Sequence, residues 1–165
     1  MILEILILAL ITFLPLLELR ASIPLGILAG KVELLGIVFQ GFHLPWLLVF
    51  FVCVIANILL GLMVYLILDN FIHYFLRFKL FKKFYEKKIE KTQKKLHPYV
   101  EKFGVLGVAL FIAVPLPGSG TYTGAFGSYL LGLRYRDFII ANTLGVILAG
   151  IIVTIITLLG IELFS

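Results

Sequence analysis

Two long runs without a single charge, Trp46 to Leu68 and Phe138 to Ile161, constrain this chain more than any other feature. They are 23 and 24 residues long. Crossing a hydrocarbon core of about 30 Å takes roughly 20 apolar residues at 1.5 Å each. Both runs therefore read as transmembrane helices. The remaining composition agrees, with 62% of the 165 residues apolar and only 14% charged. A soluble domain of this size exposes too large a share of its surface to hide so much apolar area. The same arithmetic excludes a disordered chain and a nucleic-acid-binding module. Cys53 is the single cysteine, so no internal disulfide scaffold exists either. The net charge of +5 is a local matter, because ten of the fourteen Lys and Arg residues fall between Arg77 and Lys102.

Two further apolar arms are too short to cross. Ile5 to Leu14 ends at Pro15, with Glu18, Arg20 and Pro24 close behind; Phe103 to Val114 runs into Pro115-Leu116-Pro117-Gly118-Ser119-Gly120. The N-terminal arm has no Lys or Arg before it and no Ala-x-Ala type site after it, so it is expected to stay in the mature fold. Each arm is followed by a second short apolar arm, Ile23 to Gly30 and Thr121 to Leu133. The economical reading is two re-entrant hairpins turning near the midplane, where broken backbone is tolerated only inside protein or beside a wet cavity. The alternative is one kinked complete span in each half.

The two halves resemble each other. Each reads as apolar arm, proline break, small-residue arm and then an apolar span carrying Ala56-Asn57 or Ala141-Asn142. Ser22, Gly26 and Gly30 recur every four residues, as do Gly120, Gly124, Ser128 and Gly132. That spacing allows close helix approach. The expected fold is an all-α integral membrane protein, an inverted repeat of re-entrant helical hairpin plus transmembrane helix. It forms one membrane domain: first repeat about 1–69, a basic connection about 70–102, and second repeat about 103–165. The basic connection reads as an amphipathic surface helix, with Phe81, Phe84, Tyr85, Ile89 and Leu96 spaced among the lysines. The positive-inside rule places it in the cytoplasm and the Lys31 to Pro45 connection outside. The two hairpins then enter from opposite faces, a known transporter design.

Glu18 and Arg20 are the only charges between Ile5 and Gly30. Charges at membrane depth are costly and usually mark a pathway or a proton relay. The bland reading is a self-neutralising structural pair, or a tip nearer the surface. In the functional reading Glu18 is a reversible proton carrier and Arg20 clamps an anion, its fork suited to phosphate. The second tip, with Pro117, Gly118, Ser119 and Gly120, has no charge. Its returning half-helix, capped by Ser119, would offer free N–H groups to an anion. Ser22, with Pro24 in a first helical turn, would do the same from the other side. Asn57 and Asn142 are buried hydrogen-bonding groups or braces for the tips. Arg134 and Arg136 are head-group contacts or plain interfacial anchors. The second tip is neither a Walker loop nor a nucleophile elbow. His43, His73 and His97 fall in connections or helix ends, and no metal cluster or cofactor site is readable. No enzyme is expected.

Glu18-Leu-Arg20-Ala-Ser-Ile-Pro24-Leu-Gly26 in the first half carries a family resemblance. So do Pro115-Leu-Pro-Gly-Ser-Gly-Thr-Tyr-Thr-Gly124, Arg134-Tyr-Arg136-Asp-Phe138 and Asn142-Thr-Leu-Gly145 in the second. Over nearly its whole length the chain resembles the small multidrug export protein family, which is similar to the broader DedA/VTT membrane superfamily. That resemblance implies opposed re-entrant hairpins and movement of polyprenyl-phosphate or phospholipid carriers. The chain departs at Gly120, where DedA proteins carry an Arg. The leading expectation is a multi-pass transporter or flippase of an anionic lipid-linked phosphate in the cell membrane, with proton coupling through Glu18. Its rivals are a proton-coupled exporter of lipophilic cations and a non-transporting organiser of envelope assembly. The partners implied are membrane lipids and a lipid-phosphate substrate, not nucleic acid, with a homo-oligomer also allowed.

Overall fold

The structure is a computed structural model that describes residues 2–15, 17–34, 37–75, 104–115 and 119–164. The first arm is helix α1, Ile2–Thr12. A tight turn carries the chain past Pro15 into α2, Glu18–Ile27. The two helices run antiparallel: the Thr12 hydroxyl donates to Ser22 Oγ at 2.7 Å, and one turn further along each helix Gly26 faces Leu8. They form a helical hairpin. The return helix begins at Glu18, five residues before the expected Ile23. Pro24 therefore lies in its interior and not in its first turn. A proline there supplies no N–H to the carbonyl one turn back, at Arg20.

The connection after α2 adds a strand pair to the expected all-α architecture. Strand β1, Ala29–Leu34, pairs antiparallel with β2, Ile37–Phe42, with Gly30 opposite Gly41. Leu44 N–H donates to Gly26 O at 2.9 Å and His43 N–H to Leu28 O at 3.3 Å, which ties the strand pair to the end of α2. Gly41 is required there, because a Cβ would run into Leu28 O. The Val, Ile and Phe residues of this segment suit strands, but a pass for membrane spans counts them only as connection.

The two long helices follow. Helix α3, Trp46–Phe75, and the last helix each contain 30 residues, about 45 Å of helix. Between them lie α4, Gly104–Ala113, and α5, Thr121–Leu131, and the last helix is α6, Tyr135–Phe164. Both long helices are long and apolar enough to cross a membrane. Phe51, Ile55, Leu59 and Met63 are each about half exposed along one stripe of α3; Leu144, Leu148, Ile151 and Ile155 repeat the pattern on α6. In water such stripes would cost about 25 cal/mol per Å². Facing lipid tails they cost nothing of the kind. The basic segment 77–102, and any amphipathic helix in it, lies outside the described residues.

The core sits where the return helices α2 and α5 pack against both α3 and α6. Gly26 meets Val49 on α3, Gly124 meets Ile112 on α4, and Gly150 meets Val54 across the α3–α6 contact. The small-residue ladders thus hold for Ser22, Gly26, Gly124 and Ser128, all buried. They fail at their ends. Gly30 opens β1 at φ +93°, and Gly132 closes α5 at φ +75°. Near that second end the Tyr65 hydroxyl donates to Leu133 O at 2.6 Å, and its ring stacks on Phe138.

Candidate functional site

The site is a junction between the first residue of α2 and the tip that leads into α5. Helix α5 starts with Gly120 as its N-cap, no capping side chain and no acid in its first turn. Its first N–H groups therefore lack a local partner. Glu18 supplies one from 103 residues away. Its Oε2 accepts the Thr121 N–H at 3.1 Å and its Oε1 the Tyr122 N–H at 3.3 Å. The carboxylate is buried, and bonds to a charged group contribute about 1.5–3 kcal/mol each. The positive end of the α5 dipole adds to that.

Two backbone features let Glu18 arrive there. Glu18 itself stands at φ +45°, a conformation uncommon outside glycine. Gly120 stands at φ +138°, and a Cβ on it would lie 2.7 Å from Glu18 Oε2. The tip therefore presents bare backbone to the carboxylate.

Arg20 reaches the same tip. Its Nη2 donates to Ser119 Oγ at 3.0 Å and to Val114 O at 3.2 Å, while Ser119 Oγ–H itself donates to Val114 O at 2.6 Å. Tyr122 closes the junction from the other side, its hydroxyl donating to Phe13 O at 2.5 Å. Each half of the chain is thus fastened to the other at its break.

Several expected roles change accordingly. Ser119 does not cap α5; its hydroxyl turns back to Val114 O, and Glu18 takes the cap. Ser22 and Pro24 do not head a helix, since α2 has already begun at Glu18; the Ser22 hydroxyl instead joins Thr12 and the carbonyl of Glu18. Pro117 and Gly118 lie outside the described residues. Gly120 is at the heart of the junction. Asn142, fully buried, donates from Nδ2 to Ile58 O at 3.2 Å and packs with Thr121 into the space left by Gly61. Asn57 is buried on α3, one turn before Gly61. Arg134 and Arg136 are exposed at the start of α6, where Arg134 pairs with Asp137 at 2.9 Å, away from the junction.

Sequence reasoning missed Thr121, Tyr122, Gly61 and Thr12. One signal was available for the first two. Helix α5 is a buried helix start with no acid of its own, and Glu18 is an acid without a local base except Arg20. What the arrangement can do chemically is hold an anion. The two leading N–H groups of α5 hold the protein's own carboxylate, while the Arg20 guanidinium reaches the same tip at Ser119 Oγ and Val114 O.

The family whose description reads "Putative small multi-drug export protein" matches residues 18–152, from Glu18 through most of α6. No curated protein and no solved structure matches the chain. With about four-fifths of its length matched, the chain belongs to this family of small multi-drug export proteins.

Proposed function

We propose that the protein is a membrane exporter in which an anionic phosphate head group, that of a lipid-linked carrier, competes with Glu18 for the α5 N-terminus. The single observation that carries this reading is that both leading N–H groups of α5 donate to the Glu18 carboxylate. A group that binds a carboxylate in this way binds phosphate by the same chemistry. Protonation of Glu18 removes the internal anion and frees the tip; Arg20, two residues along α2, then offers its fork to the incoming phosphate. Release of the proton returns Glu18 to the cap and expels the anion. Transport and proton movement are coupled because one tip cannot hold both anions.

In this proposal α1–α2 and α4–α5 are opposed re-entrant hairpins of an inverted repeat, as in DedA/VTT proteins, and the junction lies near the bilayer midplane. The protein sits in the cell membrane with the 77–102 segment in the cytoplasm. A reconstituted-liposome assay comparing a polyprenyl phosphate with a lipophilic cation tests the substrate. Phosphate transport lost in Arg20→Ala supports the reading.

A second reading that fits the family description equally well is export of small lipophilic drugs or cations, the cation being neutralised by Glu18. In that case the cation is transported, Glu18→Gln abolishes it, and Arg20→Ala leaves it in place.

A further inference from the structure

Three buried oxygens on the helices that pack around the junction have no hydrogen-bond partner: Asn57 Oδ1, Thr121 Oγ1 and Asn142 Oδ1. Their residues are 1%, 0% and 0% exposed. A buried polar group in this state carries a desolvation cost that a ligand would relieve.

Contacts and helix register bring these oxygens together. A Cβ on Gly61 would stand 2.6 Å from both Asn142 Oδ1 and Thr121 Cγ2, so those two side chains share the hollow that Gly61 leaves. Thr121 also carries the N–H that reaches Glu18. Asn57 is placed by the antiparallel α2–α3 packing. Gly26 meets Val49, and the Ser22 hydroxyl meets the Cys53 thiol. Each step of four residues back along α2 is a step of four forward along α3. The next step sets Glu18 level with Asn57.

We infer that Asn57, Thr121, Asn142 and Glu18 form a binding site for a monovalent cation of the sodium type. The ligand set is all oxygen, as hard cations require. It contains two amide carbonyls, one hydroxyl and a single carboxylate. One carboxylate suits a single positive charge. Divalent calcium sites use several, and among the described residues no three of His, Cys, Asp and Glu gather. A water molecule brings two protons to a set in which both Asn oxygens and the carboxylate can only accept. A cation satisfies all of them at once. The positive groups nearby are otherwise engaged: the Arg20 guanidinium donates to Val114 O and Ser119 Oγ, and the α5 N–H groups are met by Glu18. The site shares Glu18 with the phosphate exchange proposed above, so its test is read on Na+ binding and Tm and not on transport.

The test uses the purified full chain in detergent, with thermal unfolding measured in NaCl, KCl and choline chloride at equal ionic strength. The parent should show a saturable rise in Tm of several degrees in NaCl over choline. Thr121→Val keeps the methyl packed against Gly61 and removes the oxygen, so the rise should vanish; Thr121→Ser should retain it. Direct binding of radiolabelled Na+ by the parent keeps the proposal falsifiable should Thr121→Val fail to fold. Equal Tm in all three salts with no Na+ bound, or an unchanged rise in Thr121→Val, would overturn the site and leave these oxygens to water. Phosphate binding by Arg20 is read separately, so either proposal can fail alone.

Discussion

Glu18 fills the space that a side chain at Gly120 would need: a Cβ there would stand 2.7 Å from Oε2 and 3.0 Å from the carboxyl carbon. The two residues are 102 positions apart in the chain and each breaks a backbone rule, Glu18 at φ +45° and Gly120 at φ +138°. A glycine tip and an acid tip have been fitted to one another.

Gly120→Ala should therefore be among the most damaging small substitutions. It combines backbone strain with displacement of the buried carboxylate, together on the order of 2–4 kcal/mol. Gly127→Ala is the control, since nothing lies within 4 Å of a Cβ there and the position is helical; it should be neutral or raise Tm slightly. Thermal unfolding in detergent separates them. Equal behaviour of the two variants would remove Glu18 from the tip.

Much of this was legible in the sequence. Uncharged length alone locates α3 and α6, and proline breaks mark the turn at Pro15 and the tip after Val114. The small-residue spacing correctly picks Gly26, Gly124 and Ser128. What could not be read is partnership across the halves. Nothing local to Thr121 says that its N–H belongs to Glu18, because the bond spans 103 residues and depends on φ values at two positions. Ser119 looked like a cap because capping rules are local; a distant carboxylate is the stronger acceptor and left the hydroxyl to Val114 O. The strand pair was missed for a different reason. Once a segment is short and flanked by spans, hydropathy says nothing of its hydrogen-bonding pattern.

The packing of the return helices makes a second prediction. A Cβ on Gly124 already meets Ile112 at 2.6 Å, and Ser128 is fully buried. Gly124→Leu and Ser128→Leu should each lower Tm sharply or abolish expression of folded protein, through overpacking that typically costs about 1–3 kcal/mol or more. Unchanged expression and Tm would mean that these faces look toward lipid.

Tyr65→Phe tests the far end of α5. It removes the hydroxyl that reaches Leu133 O at 2.6 Å while keeping the ring that stacks on Phe138. The expected loss is about 1 kcal/mol, read as a small fall in Tm without change in transport. A loss of transport with unchanged Tm would give this residue a role in the pathway.

Topology has its own test. In a Cys53→Ala background, single cysteines placed in the 31–45 connection should react with an impermeant reagent from outside. Cysteines in the 77–102 segment should react only after the membrane is opened. Labelling of both from the same side would end the opposed-hairpin proposal.

The central claim is that one tip alternates between the Glu18 carboxylate and a phosphate, and binding of a polyprenyl phosphate to purified variants tests it most directly. Glu18→Gln, which removes the competing charge, should bind more tightly than the parent. Arg20→Ala should weaken binding at least tenfold, and Ser119→Ala only mildly, since the backbone N–H groups remain. Binding by Glu18→Gln and Arg20→Ala that matches the parent in strength would contradict the account.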